Sequence, residues 1–222
     1  MVNRTVIITA GGIGKRMGKD IPKQFILLGD LPILAHTISV FHSFDPSIQI
    51  LVTLPAEWIV YWKSSIKKLG FDLPHQIITG GEERFHSIQN ALRHANGKHI
   101  AVHDGVRPFV SNETIARCFL SLNDARAVVP VLMIKDTIRK ISGGTNQAAN
   151  RASYRLVHTP QCFHEKTLRL AYEQDFTPSI TDDATLVEQT GESIYFVESN
   201  EENIKITTPY DLSIAQSFFL KK

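Results

Sequence analysis

The chain has 222 residues, 43% of them hydrophobic and 21% charged, a balance that excludes a disordered segment and suits one α/β domain of ordinary size with a substantial core. A formal net charge of +2 is too small to argue for nucleic acid, so any cationic character that matters must be local. Two cysteines, Cys118 and Cys162, give neither a disulfide framework nor metal-ligand spacing, and no apolar run approaches the roughly 20 residues that span a bilayer. With no basic-then-apolar leader before the first strand, the expected place is the cytoplasm, away from membranes.

The first element is the β-branched run Thr5-Val6-Ile7-Ile8-Thr9-Ala10, which reads as a buried parallel strand. It empties into Gly11-Gly12-Ile13-Gly14-Lys15-Arg16-Met17-Gly18, then Pro22-Lys23-Gln24. Glycines let the backbone approach an anion closely and offer it N–H groups. Three cations, Lys15, Arg16 and Lys23, follow. That is more than holding a dinucleotide needs, and it suits a triphosphate whose cleavage develops charge. The standard glycine motifs fail here. Counted from Gly12, Gly-x-Gly-x-x-Gly meets Met17 at its third glycine, and Gly14-Lys15 is followed by Arg16 instead of Ser or Thr. The glycines alone are equally explained by a turn with solvated lysines.

Residues 25–30 read as a short extended piece and turn. Pro32 opens an amphipathic helix carrying Ile33, Leu34, Val40 and Phe41. A strand over 48–54 closes at Pro55, and a helix over 58–68 ends at Gly70. Its Trp58, Tyr61 and Trp62 are better read as packing than as a base-stacking platform. Residues 76–79 form a third strand, followed by Gly80-Gly81-Glu82-Glu83-Arg84-Phe85-His86-Ser87. A glycine turn at a strand's carboxyl end faces ligand in open α/β sheets. Arg84 and Ser87 would share a face of the next helix, although capping or surface residues would look the same. A strand over 98–103 runs into Asp104-Gly105-Val106-Arg107-Pro108. Asp104 suits a Mg²⁺ ligand beside a triphosphate; the simpler alternative is an ion pair with Arg107 that ties the turn. His103 reads as a buried strand-end histidine, not a base.

A helix over 112–122 leads to a strand over 127–133 whose Pro130 implies an edge or a bulge. Residues 136–151 then alternate polar and apolar around Ser142-Gly143-Gly144-Thr145. This two-stranded excursion is too polar for core, which predicts support from another surface such as a second subunit. The chain returns through 156–163, with Thr159-Pro160-Gln161, into a helix over 164–174. Thr181-Asp182-Asp183-Ala184 looks like a helix cap. Strands over 193–197 and 201–207 follow, and Thr208-Pro209 opens a last helix over 210–220. No repeat or linker divides the chain, so a single domain over 1–222 with an arm at about 136–152 is expected.

In this order, Ala-Gly-Gly-x-Gly-x-Arg-Met, Pro-Lys-Gln, Gly-Gly-x-x-Arg-x-x-Ser, His-Asp-x-x-Arg-Pro, Asp-Thr, Thr-Pro-Gln, Thr-Asp and Asn-Ile-Lys resemble the 2-C-methyl-D-erythritol 4-phosphate cytidylyltransferases of non-mevalonate isoprenoid synthesis. The resemblance covers nearly the whole chain. It implies an α/β fold with a doubly wound, mostly parallel sheet (a Rossmann-like nucleotidyltransferase) and a protruding β-arm that crosses a homodimer interface. It also implies CMP transfer from CTP to a polyol phosphate, with Mg²⁺ as cofactor. On that likeness Arg16, Lys23, Arg151 and Lys205 are catalytic. Ala10, Gly11, Gly12, Lys15, Gly80, Gly81, Arg84 and Ser87 bind the nucleotide. Thr137, Arg151, Thr181 and Lys205 hold the acceptor, and Asp104 is the metal ligand.

There are departures from the pattern. Ala149-Asn150 precedes Arg151 where Val-Asp is more usual, and Glu202 stands where the family usually has Asp. A related enzyme acting on ribitol 5-phosphate shares most of these strings and is the alternative acceptor reading. A non-catalytic nucleotide-binding module would not need Arg16, Lys23 and Lys205 together. A dehydrogenase would need the dinucleotide spacing that fails above. Because the acceptor's phosphate oxygen is already a nucleophile, catalysis is expected to rest on positioning and electrostatics without a general base.

Overall fold

The apolar run near the start of the chain becomes the middle of the sheet. The computed structural model describes residues 3–12 and 21–219. After β1 (Arg4–Thr9), a small hairpin of β2 (Leu27–Leu28) and β3 (Leu31–Pro32) enters α1 (Ile33–Phe44). Then come β4 (Gln49–Leu54), α2 (Ala56–Lys68), β5 (Gln76–Thr79), α3 (Arg84–Leu92), β6 (His99–Asp104), α4 (Asn112–Ser121) and β7 (Ala127–Met133). The arm is β8 (Ile138–Ser142) with β9 (Thr145–Ala149). It is followed by β10 (Arg155–Val157), β11 (Gln161–His164), α5 (Glu165–Ala171), α6 (Asp183–Glu188), β12 (Tyr195–Glu198) and α7 (Pro209–Phe219).

The main sheet runs β5-β4-β1-β6-β11-β7, with β10 and β12 also paired to β7. Within it only β10 and β11 run against the rest. Alternate residues of β1 face opposite layers. Val6 and Ile8 pack with Leu34, Phe41, Trp62 and Phe119 of α1, α2 and α4. Ile7 packs with Ile88, Leu168 and Leu186 of α3, α5 and α6. Helices therefore cover both faces, which is why β1 reads as a continuous apolar run. The aromatics of α2 are packing, as read: Trp58, Tyr61 and Trp62 close around Phe25, and Trp62 is fully buried. No helix among the described residues is long and apolar enough to cross a membrane.

Two expectations are corrected. The strand around Pro130 is not at an edge, because β12 pairs with one side of β7 while β10 and β11 pair with the other. Pro130 is tolerated because its carbonyl accepts from His158 N–H at 2.9 Å. Its absent N–H faces that same side, where the chain passes from β10 to β11 and the ladder is interrupted. The return over 156–163 passes through β10 and β11. Residues 201–207 form no strand; Ile206 N–H bonds Val106 O at 3.0 Å, and the rest is turn and irregular chain.

Candidate active site

The register of the sheet sets the site. Thr9, the last residue of β1, is level with Thr53 of β4 on one side and with Asp104 of β6 on the other. The chain leaves β1 towards β4 and β5, then crosses back to β6, so a crevice opens at the carboxyl ends of these strands. A cavity of about 300 Å³ lies there, lined by Ala10, Gly11, Gly12, Lys23, Gly81, Arg84, Ser87, Asp104 and Lys205 among others. The structure thus brings together most of the nucleotide and catalytic set read from the sequence. Gly80 stands just behind: its N–H bonds Leu54 O at 2.8 Å, and an added Cβ would meet Ser87 Oγ at 3.0 Å. Lys15 and Arg16 lie outside the described residues.

The second glycine turn is locked by its own serine. Gly81 N–H donates to Ser87 Oγ at 3.0 Å, and the Ser87 hydroxyl donates to Glu83 O at 3.1 Å. A Cβ on Gly81 would come within 2.4 Å of His86 Cβ, so only glycine fits. Arg84 then opens α3 and donates to Asp183 at 2.6 Å, while the Tyr172 hydroxyl donates to the other Asp183 oxygen at 2.6 Å. Burial disfavours the Arg84 charge, but Asp183 outweighs it and holds the guanidinium charged above its usual range. Burial first, and then Asp183, push the Tyr172 hydroxyl up. Asp183 is the residue the sequence reading missed. Its neighbour Asp182 is the cap, accepting from Thr185 N–H at 2.9 Å and from Gln161 Nε2 at 2.6 Å.

At the opposite wall, Asp104 is 7% exposed. Arg107 Nε donates to it at 2.9 Å, and Lys205 Nζ lies 3.2 Å away. Burial alone would raise this carboxyl, but Lys205, Arg107 and Arg84 outweigh it and keep it ionised well below the usual carboxylate range. The ion pair with Arg107 therefore exists beside the cavity rather than instead of it. Arg107 also donates to Asn203 O at 2.7 Å, and Asn203 Nδ2 donates to Thr159 O at 2.9 Å. Those bonds fasten the irregular segment that presents Lys205.

His103 is fully buried. Its Nε2–H donates to Arg107 O at 3.1 Å, because a carbonyl can only accept. Nδ1 accordingly accepts from the Thr159 hydroxyl at 3.0 Å, whose oxygen also takes Asp104 N–H at 3.1 Å. Burial brings the imidazole down to about 4. It is a neutral strut behind Asp104 and not a base.

Among the described residues no group of three His, Cys, Asp or Glu side chains could hold a metal ion. The described cavity lining carries Asp104, Glu82 and Glu83 but no histidine or cysteine, a donor set that does not suit zinc. It does fit Mg²⁺, which takes one or two carboxylates and fills its octahedron with phosphate oxygens and water.

The acceptor set is not gathered in one chain. Thr181 is exposed, its hydroxyl 3.4 Å from that of Thr185, and it lines a separate pocket beyond Arg84. Thr137 is exposed at the start of the arm. The Arg151 guanidinium donates to Lys135 O, and Lys135 Nζ pairs with Glu201 at the surface. Glu202 accepts from Asn200 Nδ2 and does not line the cavity. At the root of the arm, Met133, Leu156 and Phe196 are all about half exposed or more, around a groove of about 750 Å³.

Comparison with known proteins matches residues 4–222 to the family model described as 2-C-methyl-D-erythritol 4-phosphate cytidylyltransferase. The chain is 48% identical over 215 residues to the Bacteroides fragilis protein of that name, covering 96% of this chain and 98% of that one. It is 46% identical over 216 residues to the protein of that name from Phocaeicola vulgatus, covering 97% and 99%. Among solved structures, the 4-diphosphocytidyl-2C-methyl-D-erythritol synthase of Anaerococcus prevotii superposes with a TM-score of 0.84 at 27% identity, covering 99% of this chain and 96% of that one. The cytidylyltransferase of Thermus thermophilus gives 0.76 at 29% identity, with 98% of each chain covered.

Proposed function

The chain belongs to the 2-C-methyl-D-erythritol 4-phosphate cytidylyltransferase family, and from that premise we propose how its site performs the family's reaction. CTP and 2-C-methyl-D-erythritol 4-phosphate become 4-diphosphocytidyl-2-C-methyl-D-erythritol and pyrophosphate, in non-mevalonate isoprenoid synthesis. An acceptor phosphate oxygen attacks the α-phosphorus, the bond from that phosphorus to the β-bridging oxygen breaks, and pyrophosphate leaves. The observation that carries this reading is the cavity at the strand tips, with glycine turns on two sides and Lys23, Arg84 and Lys205 around one deeply ionised carboxylate.

Gly11 and Gly12 offer the triphosphate backbone next to Lys23. The Gly80–Ser87 turn takes the cytidine end, and Lys23 and Arg16 act on the charge that develops at the phosphates. Asp104 would hold Mg²⁺, which when bound neutralises phosphate charge and orients the leaving group. Lys205 sits 3.2 Å from Asp104 with its side chain 44% exposed, which leaves it reachable by the acceptor's phosphate. No proton needs removing from the nucleophile, and the neutral, enclosed His103 suits that economy.

The remaining acceptor residues support a homodimer. Thr137 and Arg151 stand on an arm outside their own cavity, above an exposed apolar groove that a second copy would cover. The partner's arm then brings them to the acceptor. The two buried free thiols, Cys118 and Cys162, fit a reducing cytoplasm. The test is coupled pyrophosphate release with CTP and each purified acceptor. Turnover with methylerythritol phosphate and little with ribitol 5-phosphate is expected; the reverse would reassign the acceptor.

A further inference from the structure

A helix of only six residues, such as α6, makes too few internal hydrogen bonds to offset its own nucleation and depends on its surroundings. Its first residue, Asp183, nevertheless grips Arg84 on the cavity wall at 2.6 Å. Leu186 and Val187 bury the inner face of the helix. Apolar packing of that kind is non-directional, whereas the bond to Arg84 needs Asp183 aimed correctly.

The aim comes from Gln161, which is 1% exposed at the start of β11. It bonds the residues on both sides of Asp183. Its Nε2 donates to Asp182 Oδ2 at 2.6 Å, and its Oε1 accepts from Ala184 N–H at 2.9 Å. The other Asp182 oxygen accepts Thr185 N–H at 2.9 Å and the Thr185 hydroxyl at 2.6 Å. A backbone N–H can only donate, so the Gln161 amide cannot flip, and both Asp182 oxygens already face donors. Neither Gln161 nor Asp182 lines the cavity.

We propose that Gln161 and Asp182 are positioning residues for nucleotide binding: they set α6 so that Asp183 holds Arg84 at the cavity. The proposal rests on the reading of Arg84 as a nucleotide contact. The two successive acids then have separate tasks. Asp182 latches the helix to β11, and Asp183 carries the grip to Arg84.

The bonding pattern admits an exchange that tests this. Gln161→Glu sets a carboxylate against a carboxylate, and Asp182→Asn sets an amide donor against an amide donor. Combined, the two changes restore every bond. The new amide at 182 donates to the new carboxylate at 161, whose other oxygen still accepts Ala184 N–H. Steady-state kinetics of the full chain, with CTP and acceptor varied in turn, reads the outcome. Each single variant should raise the CTP KM about tenfold, the weight of one bond to a charged group. The double variant should return it to within about threefold of wild type. A protein that is merely less stable loses active molecules, which lowers apparent kcat at an unchanged KM. Single variants with a wild-type CTP KM overturn the proposal, as does a double variant that fails to fold or is no better than they are. If one single variant does not fold, the other decides against the double variant. An Arg84→Lys protein with an unchanged CTP KM would instead remove the reading of Arg84 on which the pair depends.

Discussion

Replacing Asp183 by Asn should loosen the site and the fold together. Asp183 is fully buried and accepts both Arg84 and the Tyr172 hydroxyl at 2.6 Å. An amide of the same shape cannot accept on both sides, so one of its faces meets a donor with a donor. Breaking a buried ion pair from one side costs about 3–5 kcal/mol. The Arg84 side chain is 33% exposed, and solvent reduces the loss to about 2–3 kcal/mol. For a chain of this size that is a fall in Tm of about 4–12 °C. Tyr172→Phe removes one bond to the carboxylate and leaves the ion pair, so it should cost about 1–2 kcal/mol. Urea unfolding measures both. The same Asp183→Asn protein should show a raised KM for CTP, about tenfold, with kcat changed less, because Arg84 is no longer held at the cavity. A variant within about 0.5 kcal/mol of wild type, with an unchanged KM, would refute the anchoring role.

Lys23→Ala and Arg16→Ala should each lower kcat about a hundredfold or more with an intact circular dichroism spectrum; near-normal kcat with only a raised KM would make either a binding contact. Mixing Arg151→Ala with Lys23→Ala protein should restore about a quarter of wild-type activity if the arm acts in trans, since half the dimers are mixed and each carries one intact site; no recovery, or a monomer by sedimentation, would remove the trans arm. Acid should destabilise the fold before the carboxylates titrate. His103 and His158 are both brought down to about 4, each chiefly by burial, while in the unfolded chain a histidine titrates near 6.5. Their folded values are depressed, so the stability they contribute is present above pH 6.5 and is lost as pH falls towards 4. His103 alone accounts for on the order of 3 kcal/mol. Urea midpoints that stay flat across that window would contradict the neutral, enclosed state of His103.

What the sequence disclosed followed the strength of the local signal. The strands over 76–79 and 127–133 match the structure residue for residue, because apolar β-branched runs closed by glycine or a polar turn leave little choice. Residues 201–207 misled because Ile204 and Ile206 alternate like a strand. In the structure Ile206 bonds Val106, and buried Asn203 ties the segment to Thr159 and Arg107. The nucleotide wall was legible in glycines and cations. Asp183 was not, since its partner Arg84 is 99 residues away in the chain and the adjacent Asp182 accounts for the cap. Gln161 and Asn203 were visible only as parts of motifs; their long-range bonds appear once β6, β11 and the 199–206 segment meet. Pro130 signalled an interruption, and only the pairing of β7 says on which side.

The central claim is attack on the α-phosphorus of CTP by a polyol phosphate. The most direct measurement uses CTP labelled separately at the α- and γ-phosphates, with Mg²⁺, methylerythritol phosphate and the wild-type protein. α-Label should pass wholly into the cytidylylated alcohol and γ-label wholly into pyrophosphate, in equal amounts. γ-Label in the alcohol product, or α-label released without the acceptor, would contradict it.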